Sequence, residues 1–114
     1  METYEDGCPC LENCPIPEVL QLIGGKWKMQ IICALKHSGT IRYGLLKKKI
    51  SGISNTMLAS SLQELENDGL IKRDHYSEIP PRVEYSITDD CTSLIPIVDD
   101  LLDWNYLRIQ KTVD

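Results

Sequence analysis

The first apolar positions recur at helical spacing, with Ile16, Val19, Leu20 and Ile23 three and four residues apart. Pro17 suits the first turn of such a helix, and Gly24-Gly25 stops it. A second helix reads from Trp27, with Trp27, Ile31, Ala34 and Leu35 on one face, and ends at Ser38-Gly39. A third, shorter helix is predicted from about Arg42 to Ile50, burying Leu46 and Ile50 and turning Lys47, Lys48 and Lys49 outward. After the turn Ser51-Gly52-Ile53, Ser54 is placed to cap a helix that ends at Gly69. There, at about 100° per residue, Leu58, Leu62 and Leu65 share one face with Ser61 beside them. Thr56, Ser60 and Gln63 point the opposite way, with Met57 and Ala59 flanking them and Asn55 at the start.

From Leu70 the period falls to two. Leu70 to Ser77 and Arg82 to Thr88 read as strands, Val83, Tyr85 and Ile87 alternating with Glu84 and Ser86. Glu78-Ile79-Pro80-Pro81 forms the hairpin tip, where the prolines remove two backbone donors. The remainder, over positions 89–111, reads as one long helix, with Asp89 and Asp90 at its positive end and Arg108 and Lys111 at its negative end. Pro96, within its first turns, predicts a kink or a late start. Its apolar residues, among them Leu94, Val98, Leu101, Leu102 and Trp104, occupy more than one stripe. They fit either a well-buried core helix or a subunit interface, and the width of the face favours the interface.

This order of elements describes an α+β, mostly helical fold: a winged helix-turn-helix with a two-stranded β-wing and dimerisation helices at both ends. At 114 residues, 42% apolar and 25% charged, the chain reads as one soluble domain over 1–114, with a cysteine-bearing arm over 1–14. The longest apolar run, Ile31 to Leu35, is too short to span a bilayer, and the acidic start from Met1 is the reverse of a leader. The expected setting is therefore cytoplasmic, with no membrane.

Charge alters this picture. A net charge of −5 argues against nucleic acid when taken whole. Yet residues 1–18 carry −5, residues 19–88 carry +4, and residues 89–114 carry −4. Nothing acidic lies between Glu18 and Glu64, while Lys26, Lys28, Lys36, Arg42, Lys47, Lys48 and Lys49 do. These lysines make either a solvated face or an anion-binding surface. A helix enters the major groove when its outward side chains are short and polar and leucines anchor its back, as with Thr56, Ser60 and Gln63. Gln pairs with adenine, Ser and Thr serve several bases, and lysines before the helix and Arg82 on the wing would grip phosphates. Winged helices also serve as protein-docking modules, so this alternative stays open.

Specific strings carry more. Cys14-Pro15, Ile23-Gly24-Gly25-Lys26-Trp27, Gly52-Ile53-Ser54, Leu62 to Leu70 and Pro80-Pro81-Arg82-Val83-Glu84-Tyr85-Ser86-Ile87-Thr88 appear in order, followed by Pro96 and Trp104. From Cys14 to Trp104 the chain closely resembles the HxlR-type transcription regulators, relatives of the MarR group. The resemblance implies a bacterial, dimeric winged-helix protein on pseudo-palindromic duplex DNA. It also implies, at the place of Cys14, a cysteine that responds to oxidants or electrophiles. Ile16 and Val19 of the first helix would join the last helix in pairing the subunits. Members often carry a basic residue where Thr56 and Ser61 stand, so here the phosphate grip falls to Lys26, Arg42, Lys47, Lys49 and Arg82. Tyr43 replaces a common phenylalanine and brings a hydroxyl toward the DNA backbone. Leu45 and Cys91 replace an acidic residue and a glycine, which predicts different packing at that corner.

Five cysteines is an odd number, and a chain of this size builds a core without disulfides, so free thiols are expected. Acidic neighbours dull Cys8 and Cys10, whereas a helix N-terminus just after Cys14 would activate it. Oxidised Cys14 would form a disulfide in the arm or to the other subunit. Cys8, Cys10 and Cys14 could instead ligate a soft metal ion, with a fourth ligand from Cys91 or the partner chain, making a metal-responsive repressor; the paired spacing of zinc sites is missing. Cys33 reads as a small buried apolar residue. No cofactor motif or nucleophile elbow occurs, His37 and His75 are isolated, and Asp99, Asp100 and Asp103 lack an acid–base partner. No catalysis and no cofactor are expected.

Overall fold

A computed structural model describes residues 14–113. The elements are α1 (Ile16–Ile23), α2 (Lys28–Ser38), β1 (Ile41–Arg42), α3 (Tyr43–Lys49), α4 (Asn55–Asn67), β2 (Ile71–Tyr76), β3 (Arg82–Ile87), α5 (Asp89–Thr92) and α6 (Ile95–Val113).

Local chemistry sets the boundaries. The amide of Gly24 bonds to the Leu20 carbonyl, and a Cβ at Gly24 would clash with that oxygen, so only glycine closes α1 here. Ser54 caps α4, its hydroxyl accepting from the Met57 amide at 3.1 Å. At the other end Gly69 takes φ +76°. Its amide bonds to the Glu66 carbonyl and that of Leu70 to the Leu65 carbonyl, the paired Schellman closure. Thr88 then ties two junctions together. Its hydroxyl donates to the Gly69 carbonyl at 2.7 Å and accepts from the Cys91 amide at 3.2 Å, joining the end of α4 to the start of α5.

The core lies between α2, α3, α4 and the sheet. Ile31, Ile32 and Leu35 of α2 meet Leu46 of α3, Leu58, Leu62 and Leu65 of α4, and Ile41, Ile71 and Tyr85 of the strands, with Cys91 and Ile95 closing one end. Ser61 is the buried polar residue of this set, as its place beside the leucines predicts. Among the described residues no buried side-chain nitrogen or oxygen lacks a partner.

Three features differ from the sequence reading. The sheet has three strands in the order β1-β3-β2, because Ile41 and Arg42 pair antiparallel with Tyr85 and Glu84. A strand of two residues has no alternation to read; it exists because β3, already paired with β2, offers its other edge. The predicted single helix from Thr88 is two, α5 and α6. The break falls at Ser93-Leu94, and Pro96 takes the second position of α6, where its missing amide costs nothing. The late start predicted from Pro96 is therefore the form taken.

The third difference concerns the predicted interface residues. Val98 is 8% exposed and Leu94 packs partly against the core, so both serve this chain's own interior. Beyond Val98, every residue from Asp99 to Lys111 is exposed. Leu101, Leu102, Trp104, Tyr106 and Leu107 are each more than half exposed, and on α1 so are Ile16 and Leu20, with Val19 close behind.

Leu35→Ala is expected to destabilise the chain by about 2–5 kcal/mol, since it removes a fully buried side chain. Ile79→Ala, at the fully exposed hairpin tip, is expected to stay within about 0.5 kcal/mol. Urea unfolding followed by circular dichroism at a fixed protein concentration measures both.

Candidate nucleic-acid interface

Burial of Leu58, Leu62 and Leu65 turns the other side of α4 to solvent. Asn55, Thr56, Met57, Ala59, Ser60 and Gln63 are all exposed, with Ser54 at the helix mouth. Their polar atoms are short and neutral. The Ser60 hydroxyl donates to the Met57 carbonyl at 3.2 Å, and the Gln63 amide donates to Asn67 Oδ1 at 3.0 Å. Both bonds are exposed and exchange readily with an approaching polar edge.

The hydroxyl of Tyr43 faces Asn55. It donates toward the Asn55 carbonyl at 3.2 Å and its Oδ1 at 3.3 Å. Tyr43 thus pins the first residue of α4 to the first residue of α3 and sets the angle between the two helices.

The cations divide into engaged and unengaged groups. Lys28, 12% exposed, bridges α1 and α4: its ammonium donates to the Gln21 carbonyl at 2.8 Å and pairs with Glu64 at 2.9 Å. Lys36 pairs with Asp99 at 3.3 Å, tying the start of α6 to α2. Lys26 sits 4.7 Å from the centre of the Trp27 ring. Among the described residues Arg42, Lys47, Lys48 and Lys49 have no ion-pair partner; all are exposed except Lys47, which is half-buried. These four lie at the two ends of α3, directly before α4 in the chain. Lys47, Lys48 and Lys49 fill the last turn of α3, where the helix dipole also favours positive charge.

On the wing Arg82 is not the unengaged cation that its position in the sequence suggested. Its Nε donates to Glu84 at 3.0 Å, its Nη1 pairs closely with Glu78, and its guanidinium lies 4.3 Å from the centre of the Tyr76 ring. The register explains this: Tyr76 stands directly across from Arg82, and Glu84 is two positions along the same strand face. Glu78, Glu84 and Tyr76 are thus site residues that sequence reasoning missed. The period-two spacing from Arg82 to Glu84 was the available signal.

Cys14 is a half-buried free thiol directly before Pro15, the N-cap residue of α1. Cys33, read as buried, is also half-buried. Cys91 is fully enclosed, and burial, aided by the nearby Cys33, pushes its thiol above the ordinary range. Cys8 and Cys10 lie outside the described residues. Among the described residues no three His, Cys, Asp or Glu side chains gather to hold a metal ion.

The HxlR-like helix-turn-helix family profile matches residues 22–112. An uncharacterized HTH-type transcriptional regulator of Halalkalibacterium halodurans, BH0655, is 44% identical over 104 residues, covering 91% of this chain and 92% of that protein. Among solved structures, the redox regulator HypR in its oxidized form superposes with a TM-score of 0.75 at 36% identity, over 82% of this chain and 95% of its own. The reduced form of the transcriptional regulator YodB from B. subtilis superposes with a TM-score of 0.72 at 31% identity, over 81% and 90% of the two chains.

Because folding raises the pKa of Cys91, the folded state holds that proton longer than the unfolded one. The stabilising contribution is full below the ordinary thiol value, about 8.5, and is lost as pH climbs through the raised value. Urea unfolding across alkaline pH is expected to show this decline in the native chain and a shallower one in Cys91→Ala. Iodoacetamide is expected to label Cys91 only after denaturation.

Proposed function

The chain belongs to the HxlR-like helix-turn-helix family and is a transcription regulator rather than an enzyme; from that premise we propose that it binds duplex DNA as a homodimer in the cytoplasm. The observation that carries this reading is the combination of two features: the exposed, uncharged polar face of α4 and the unengaged cations Arg42, Lys47, Lys48 and Lys49 at the ends of α3, the helix that precedes it. In this reading α4 lies in the major groove, where Thr56, Ser60 and Gln63 meet base edges and Ser54, Asn55 and Met57 border them. The cations of α3, with Lys26, hold flanking phosphates. That no helix among the described residues is long and apolar enough to cross a membrane agrees with this setting.

The homodimer is supported by the exposed leucines of α1 and α6. Side chains such as Leu20, Leu101, Leu102 and Leu107, all more than half exposed on one chain, have most of their transfer free energy still to gain from a second copy. Two-fold pairing would set two α4 helices about 34–36 Å apart on one face of a pseudo-palindromic operator.

The similarity to HypR, a redox regulator by its printed name, together with the half-buried Cys14 thiol at the head of α1, supports a thiol switch at that residue. The thiol lies against the N-terminal end of a helix that the dimer would use, so oxidation there would bear on the spacing of the two reading helices.

Fluorescence anisotropy with the chain's own upstream DNA tests the reading. Binding is expected to weaken steeply between about 50 and 200 mM salt. Lys47→Ala is expected to weaken all sequences alike and to reduce the salt slope by about 0.9. Thr56→Ala with Gln63→Ala is expected to cost about 1–3 kcal/mol of discrimination per lost base contact. Absence of duplex binding by reduced, dimeric protein in dilute salt would sink the proposal. In the same assay, peroxide is expected to change the affinity of the native protein and to leave Cys14→Ser unchanged; an equal response in both removes the sensor role.

A further inference from the structure

The guanidinium of Arg82 is held on three sides. Glu84, with a side chain 20% exposed, takes Nε from below, and the Tyr76 ring supports the face. Glu78 takes Nη1 with a side chain 52% exposed. The inner pair is enclosed and two residues apart on one strand, so it orients the group. The outer pair is wet, reaches across the hairpin tip, and can be exchanged for another anion without unfolding the strand. With Nε and one Nη1 hydrogen engaged, the remaining guanidinium hydrogens have no partner among the described residues. A planar fork with an oriented inner edge and a replaceable outer carboxylate is an anion site whose occupant is, in this structure, part of the chain itself.

We infer that Glu78 is an internal competitor for nucleic-acid phosphate on the wing: a phosphodiester oxygen takes its place on the outer edge of Arg82, while Glu84 and Tyr76 hold the guanidinium in position. The inference deepens the DNA-binding reading and rests on it. With Glu78 and Glu84 both charged, the cluster around Arg82 carries one negative charge and repels the backbone. Lys72 on the neighbouring strand is likewise paired, with Asp74 at 3.6 Å. Arg73, exposed on the same strand as Lys72, has no ion-pair partner among the described residues; the Arg82 corner of the wing, however, adds little to the grip until Glu78 yields, and the charge on that one exposed side chain sets how much this corner contributes to affinity.

The experiment measures anisotropy of a fluorescein-labelled mixed-sequence duplex with the full-length reduced protein over a salt series. Glu78→Gln is expected to bind about three- to fivefold more tightly than the native chain, the effect of removing one charge a few ångströms from a phosphate in water. Its salt slope is expected to steepen by about 0.9, one further phosphate neutralised. Arg82→Gln alone is expected to change little, and adding it to Glu78→Gln is expected to abolish the gain. Two results overturn the inference while leaving the DNA-binding reading intact. One is Glu78→Gln binding as the native chain does. The other is the double variant keeping the whole gain, which would be a general charge effect. If no variant binds in dilute salt, the DNA-binding reading falls and takes this inference with it.

Discussion

Everything outward about α4 follows from what it must hide. Three leucines, Leu58, Leu62 and Leu65, are buried against Ile31, Ile32 and Leu35 of α2, each worth about 1.5–3 kcal/mol of transfer free energy. At about 100° per residue, satisfying them leaves no rotational freedom: Thr56, Ser60 and Gln63 are held on the far side with the precision of the core. The same packing explains why the surrounding polar contacts cluster at the helix ends. Ser54 and Tyr43 fix the first turn, and the Schellman closure and Thr88 fix the last. A reading surface that is itself uncharged and weakly bonded is thereby presented on a rigid support, which is what base-edge recognition requires.

The electrostatics are local for the same reason. In physiological salt a charge is felt over about 8 Å, so the near neighbours of each cation count for more than the net charge of the chain. What matters is which cations are already spent. Lys28 and Lys36 stitch helices together, and Arg82 is neutralised by two carboxylates, whereas Arg42, Lys47, Lys48 and Lys49 are not engaged. On the proposed function, the α3 cations would therefore supply most of the grip on an anion, with Arg73 the unpaired cation of the wing and Arg82 already engaged. Counting lysines and arginines along the chain shows how many cations exist; it does not show which have partners.

That distinction marks the boundary of what could be read from the sequence. Signals confined to a few neighbouring residues were legible: Pro17 with Gly24 for α1, Ser54 and Gly69 for α4, the alternation of Val83, Tyr85 and Ile87, and Pro96 as the point where the last helix is interrupted. Features created by distant parts of the chain were not. β1 is a strand only because the edge of β3 is open to it. Val98 is core only because α6 sets out from the body before leaving it. Tyr43 meets Asn55 because the turn at Ser51-Gly52 brings the start of α4 to the start of α3. The hydrophobic pattern supplied the element order and the family resemblance the role expected of Cys14, but neither supplied the partners of Arg82, which depend on hairpin register.

The arrangement around Lys28 links these surfaces. Its ammonium holds the last turn of α1 through the Gln21 carbonyl and the third turn of α4 through Glu64, and its stem is nearly buried between them. A long aliphatic stem with a pinned head transmits displacement better than an exposed ion pair, because packing restricts its rotamers. α1 carries Cys14 at its head and exposed leucines along its length, while making few anchoring contacts of its own besides this one. If α1 shifts, through a modified thiol or a changed subunit contact, the Lys28 head must either follow Gln21 and pull on Glu64 or stay with Glu64 and let α1 go. Glu64 lies one residue after Gln63 on α4 and so turns with the reading face. On the proposed function, the connection from the thiol to the DNA therefore needs no rearrangement of the core: the stretch from Cys14 to Gln21, the Lys28 side chain and the single step from Glu64 to Gln63 span it.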